Sequence, residues 1–133
     1  MNIKKVKYDK APILQARTDG HKFRIVDNWR IYINGMPLDI PENFWTDFAS
    51  TGVISPLNKT LYPAITHDYL YYKQVLFGRN ITQKDADIAF LIAMKECKVN
   101  IIKRRLYYWG VRICGKKTWN KYKNDRIKNK GEK

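Results

Sequence analysis

Residues 23–40 read FRIVDNWRIYINGMPLDI, and this stretch decides the first half of the fold. Phe23 and Ile25, then Trp29, Ile31 and Ile33, alternate with polar residues. A period of two is that of a strand with one face in a core. Asn34-Gly35 between apolar alternations is a strong hairpin signal, because both residues tolerate the left-handed backbone a tight turn needs. Asp27-Asn28 is a second turn dipeptide. The stretch predicts three short strands joined by two hairpin turns, ending near Ile40, where Pro41 stops the pattern.

Upstream, residues 1–21 have weak periodicity and predict a loosely held start, with His21 exposed beside Gly20. Downstream, residues 41–58 (PENFWTDFASTGVISPLN) are rich in turn formers and long for a structureless connection, which is common in functional loops. A helix is expected from about Leu61 to Phe77, closed by Gly78. A second begins at Thr82, whose hydroxyl precedes Asp85 as a cap should, and runs to about Cys97. A third starts near Asn100. Ile102, Leu106, Trp109 and Ile113 recur there at helical spacing and are expected to face the core, while Gly110 and Gly115 weaken the helix locally. The last residues, NKYKNDRIKNKGEK, are polar and basic and are expected to fray.

The fold class is therefore α+β: a small N-terminal antiparallel sheet followed by a bundle of three helices. The 133 residues are expected to form one domain, with a loose start (1–21), strands (22–40), a functional loop (41–58), helices (61–119) and a basic tail (120–133). Two cysteines, Cys97 and Cys114, are too few for a disulfide scaffold and are expected to be reduced core residues. The basic opening MNIKKVKYDK has no apolar segment of signal type, and the longest aliphatic run, AFLIAM, is far too short to span a bilayer.

Charge is uneven. Residues 1–97 carry 13 Lys/Arg and 10 Asp/Glu, a net +3, whereas residues 98–133 carry 13 and 2, a net +11. Such a segment suits a polyanion: nucleic acid, an anionic lipid surface or an acidic host protein. Lys103, Arg104, Arg105, Arg112, Lys116 and Lys117, interleaved with Tyr107, Tyr108, Trp109 and Trp119, offer phosphate contacts plus stacking. Core packing is the other use of these aromatics, since Trp109 lies on the apolar stripe.

The chemistry-bearing candidates sit in ITHDYLYY (65–72) and on the next helix. His67 shares its helix face with Ala64, Leu70 and Tyr71, an apolar face. Asp68 lies about 100° round the helix and addresses a different target. Asp87 shares its face with Phe90, Leu91 and Met94, where an unpaired carboxylate is costly. If Asp87 accepts a hydrogen bond from one imidazole nitrogen, the tautomer is fixed and the other nitrogen is left as a base or ligand. Asp68 could then hold a cation, with Asp47, Ser50 and loop carbonyls as further hard oxygen donors. A buried His–Asp pair that only orders the helix hairpin fits the same pattern.

Two families share these residues. The chain resembles a phage-borne domain of unknown function whose members carry, in order, V-P-x-G-F-x-T-D-x-A-S, A-x-x-H-D-x-L-Y, an Arg, A-D-x-x-F and V-R-x-x-G. The matching stretches run from Ile40 to Ser50, from Ala64 to Tyr71, then Arg79, Ala86–Phe90 and Val111–Gly115. The chain departs from the pattern after Ser50, where Thr51-Gly52-Val53 replaces Val-Pro. That resemblance implies a viral or prophage origin, in the infected host's cytoplasm or on the virion, and no particular activity. Residues 67–97 also resemble, more distantly, the catalytic helix hairpin of viral and bacterial phospholipases A₂. That likeness implies His67 as the base, Asp87 as its orienter and Asp68 as a calcium ligand. It is weakest at the calcium loop, where ASTGVISPLN supplies Gly52 alone. Two function classes follow: a calcium-dependent hydrolase of a lipid or another ester or phosphate substrate, or a non-enzymatic phage protein, such as a counter-defence inhibitor or virion component.

Overall fold

The computed structural model describes residues 1–16, 23–46 and 59–131. Within them lie two small three-stranded antiparallel sheets, a two-stranded hairpin and three helices. The class is α+β.

Strands β4 (Trp29–Ile33) and β5 (Met36–Ile40) form the expected hairpin, paired from Trp29 opposite Ile40 to Ile33 opposite Met36. Asn34 (φ 51°) and Gly35 (φ 79°) both take left-handed backbone at its turn. Trp29, Ile31 and Ile33 are buried, so the period-two reading holds. Residues 1–16 are tied down rather than loose, while 17–21, with His21, lie outside the described residues. Strand β1 (Val6–Lys7) pairs with β4, and Ile3 and Val6 are buried. The side chain of Asn34 straps this segment down: its Oδ1 accepts from the backbone N–H groups of Lys4 and Lys5, and its Nδ2 donates to the Asn2 carbonyl. Tyr8 stacks on Trp29 at 5.5 Å.

The second expected turn, Asp27-Asn28, does not join paired strands. Strand β3 (Phe23–Ile25) belongs to a separate sheet, between β2 (Leu14–Ala16) and β6 (Trp45–Thr46). Both edges of β3 are taken: the Val26 N–H donates to Ile13, and on the other side Ile25 exchanges backbone bonds with Asn43 and Phe44. No edge remains for β4, so Asp27-Asn28 is a corner between sheets.

Helix α1 (Leu61–Lys73) ends four residues earlier than expected. Gln74 takes left-handed backbone (φ 56°), and a hairpin of β7 (Val75–Leu76) and β8 (Arg79–Asn80) follows, turning on Phe77 and Gly78. Gln74 is buried and its side chain donates to the Trp119 carbonyl at 2.8 Å. That partner, rather than a glycine, anchors the helix end. Helix α2 (Gln83–Glu96) starts at Thr82 with a reciprocal cap: the Asp85 N–H donates to Thr82 Oγ1, and the Thr82 N–H donates to Asp85 Oδ2.

Helix α3 (Ile101–Gly131) corrects two expectations. It runs on through the basic end, where Arg126 donates to the Tyr72 carbonyl and to Gln74 Oε1. It also presents the opposite face to the core. Ile102 (67% exposed), Leu106 (67%), Trp109 (61%) and Ile113 (76%) point outward, while Val111 and Trp119 are buried. Periodicity identifies a stripe but not which stripe packs. Here the buried side chains of Asp87 and Gln74 decide, because each finds a hydrogen-bond partner on α3 only in this orientation. Both cysteines are free; Cys97 is half-buried and Cys114 is exposed rather than in the core. No described helix is long and apolar enough to cross a membrane.

Candidate functional site

The three helices converge on Asp87, which has no solvent exposure. Three donors from two other helices and one carboxylate make the centre. His67 Nε2 lies 2.7 Å from Asp87 Oδ1, and the Tyr71 hydroxyl donates to the same oxygen at 2.6 Å. Arg112 of α3 donates from Nη1 to Oδ2 at 2.9 Å. His67 and Tyr71 are one helical turn apart on α1, with ring centroids 4.2 Å apart, and Phe90 closes on the imidazole at 4.8 Å. The carboxylate fixes Nε2 as the protonated nitrogen and leaves the Nδ1 lone pair for other work. Burial, and then the Asp87 carboxylate it donates to, push the Tyr71 phenol well above its ordinary range. Tyr71 is therefore a fixed donor rather than a base.

Gly115 is part of this arrangement. A Cβ there would meet the Tyr71 hydroxyl oxygen at 2.3 Å. Arg112 and Gly115, three apart on the inward face of α3, thus serve the same carboxylate: one donates to it, the other makes room for the tyrosine that does. This gives the V-R-x-x-G spacing a physical content.

His67 and Tyr71 line a cavity of about 340 Å³ whose other walls are Phe90, Leu106, Tyr107 and Val111. A second cavity of about 630 Å³ lies across Asp68 and Tyr71, bounded by Phe44, Trp45 and Tyr122. Asp68 borders both cavities, and its Oδ2 accepts from Thr46 Oγ1 at 2.5 Å. Neighbours in sequence, His67 and Asp68 thus address different elements, α2 and β6.

Asp68 and Thr46 are oxygen donors of the kind calcium takes, but a calcium ion needs six to eight of them. Among the described residues, no three His, Cys, Asp or Glu side chains gather into such a shell. The other expected contributors, Asp47, Ser50 and Gly52, lie outside the described residues. Asp68 and Thr46 by themselves do not complete such a shell.

The basic residues do not form one patch. Lys103, Arg105, Lys116 and Lys117 are exposed on α3. Arg104 is half-buried and reaches the Val99 carbonyl at 3.4 Å, and Arg112 is committed to Asp87. Reading Arg112 by its charge alone hid its place in the site; its spacing from Gly115 was the available signal. Tyr71, one turn after His67 on the same apolar face, carried an equally direct one.

Residues 23–111 match the family model described as "Protein of unknown function (DUF1353)", and the chain belongs to that family. The match includes His67, Asp68, Tyr71 and Asp87 and ends just before Arg112. No curated protein and no solved structure matches the chain.

Proposed function

We propose that in this member of the DUF1353 family His67 and Asp87 are the base and the orienting carboxylate of a hydrolase. The observation that carries the reading is the 2.7 Å contact from His67 Nε2 to a fully buried carboxylate, made by an imidazole that lines a cavity. With Nε2–H held by Asp87, Nδ1 takes a proton from water as the water attacks an acyl or phosphoryl centre seated in the cavity. The imidazolium, held by Asp87, then returns that proton to the leaving group. Arg112 shares the charge of Asp87, so Asp87 contributes orientation more than field. Tyr71 holds the carboxylate from the other side.

Phe90, Leu106 and Val111 suit a substrate with an apolar part, so a lipid or comparable ester is the favoured class. The resemblance to the phospholipase A₂ hairpin points the same way and makes Asp68, with Asp47, the place to look for calcium. A second reading has one observation behind it: Lys103, Arg105, Lys116 and Lys117 stand exposed along one helix. In that reading a phage protein without catalysis binds a host factor or nucleic acid, in counter-defence or in the virion.

The test is hydrolysis of a short-chain phospholipid by the full chain, in calcium and in chelator, against His67→Asn. Turnover that His67→Asn abolishes, in a variant that still folds, supports the dyad. A folded wild type without turnover on phospholipid, simple ester and phosphodiester substrates in either buffer leaves a pair that only orders the helices.

A further inference from the structure

The outward face of α3 is an apolar stripe that the fold leaves bare. Ile102, Leu106, Trp109 and Ile113 are each more than three-fifths exposed. At about 100° per residue they fall within roughly 60° of arc, with buried Val111 opposite them and buried Trp119 about 110° round the helix. Ile127 lies on the same line further along and is 60% exposed. Cations flank the stripe on both sides: Arg105 and Lys116 along one edge, Lys103 and Lys117 along the other, all exposed. No acidic residue lies between Ile101 and Asn124.

We propose that this face seats α3 flat on an anionic lipid surface, with Ile102, Leu106, Trp109 and Ile113 in the acyl boundary and the flanking cations among the headgroups. Helices that lie in a membrane interface have this composition: an apolar strip with an aromatic residue, bordered by Lys and Arg whose stems reach past it to the headgroups. The helix is not apolar enough to cross, so it lies on the surface. Charge selects among occupants. A second copy would bring two rows of like cations together, at a net +11 for each final segment of 36 residues. Nucleic acid would welcome the cations but gains little from three exposed aliphatic side chains, since its contacts are phosphate pairing and stacking. An anionic bilayer uses both the charge and the apolar stripe. Leu106 also lines the His67 cavity, so the lipid-facing helix doubles as a wall of that cavity.

The test is co-sedimentation of the full chain with vesicles of phosphatidylcholine and phosphatidylglycerol, beside vesicles of phosphatidylcholine alone. The expected result is binding to the anionic vesicles at low salt, with a blue shift of tryptophan emission that Trp109→Phe removes. The Ile102→Ser/Ile113→Ser double variant, altered at exposed positions without a change of charge and melting like wild type, should bind about tenfold more weakly or worse. Absence of binding at low salt overturns the proposal. So does binding that the double variant leaves intact, which is charge attraction alone. A wild-type dimer that the double variant dissociates, or retention on duplex DNA without retention on vesicles, assigns the face to another occupant. The readout involves no turnover, so it stands or falls apart from the chemistry at His67.

Discussion

Gly110 and Gly115 lie five residues apart on α3, and the same substitution should move stability in opposite directions at the two. In an open helix interior, Gly→Ala stabilises by about 1 kcal/mol, because alanine has less backbone freedom to lose. At Gly110 a Cβ meets nothing within 4 Å, so Gly110→Ala should show that gain. At Gly115 the new Cβ would stand 2.3 Å from the Tyr71 hydroxyl oxygen and 3.2 Å from its Cζ. The tyrosine is not a flexible neighbour: it is 3% exposed, bonded to Asp87 at 2.6 Å and packed edge-on against Trp119 at 5.2 Å. Either the ring gives up its bond to a charged acceptor, worth about 1.5–3 kcal/mol, or the helix moves off, at a typical overpacking cost of about 1–3 kcal/mol. After the alanine gain is set against this, Gly115→Ala should destabilise by about 0.5–2 kcal/mol, a fall in Tm of about 2–7 °C at this chain length. Gly110→Ala should raise Tm by about 3–4 °C. Circular-dichroism melts of both variants check the pair. Tyr71→Phe removes the oxygen that the Cβ meets, so in that background Gly115→Ala should lose at least half its effect. If Gly115→Ala stabilises as Gly110→Ala does, α3 does not cross Tyr71 as described, and the geometry around Asp87 is wrong.

Two further outcomes follow from particular contacts. Arg126→Ala removes the donor to Gln74 Oε1 and the Tyr72 carbonyl, and should lower stability by about 1–2 kcal/mol. A melt unchanged from wild type would mean that the end of α3 is not anchored there. The Cys97 thiol is pushed by burial, and then by Glu96, from its ordinary 9.0 up to about 11, and the Tyr71 phenol is raised as well. Folding thus favours the protonated forms: the Cys97 contribution is full below about pH 9 and lost as pH rises through 11, and the Tyr71 contribution is full below its ordinary 10.0 and declines above it. Melts across that range should show a steady decline; a flat profile would contradict the burial of both groups.

Local signals and long-range ones divide what could be read in advance. Asn34-Gly35 and the Thr82–Asp85 cap act within a few residues, and both stand where the sequence places them. That His67 and Asp87 would face each other could be argued from the apolar faces they occupy; what they do there could not. Strand partners were not legible, because β3 is claimed by residues far along the chain, Ile13 on one side and Asn43 and Phe44 on the other. The end of α1 was hidden because Gln74, not a glycine, takes the left-handed turn, held by a carbonyl 45 residues away. The packed face of α3 is not legible in its periodicity for a related reason. Its most apolar stripe is outside, since a buried carboxylate and a buried amide needed partners more than four apolar side chains needed cover. Arg112 looked like surface charge for the same cause.

Phospholipid turnover by three proteins is the measurement that decides whether His67 is a base held by Asp87, as proposed above. Wild type, His67→Asn and Asp87→Asn are compared at equal folded concentration, with folding fixed by melts, in calcium and in chelator. Wild type should turn the lipid over and His67→Asn should not, because a neutral amide cannot take a proton at pH 7. Asp87→Asn keeps some turnover at a rate lowered by about a hundredfold or more, because the imidazole loses its orienting acceptor. Turnover that survives His67→Asn in full would contradict that role for His67.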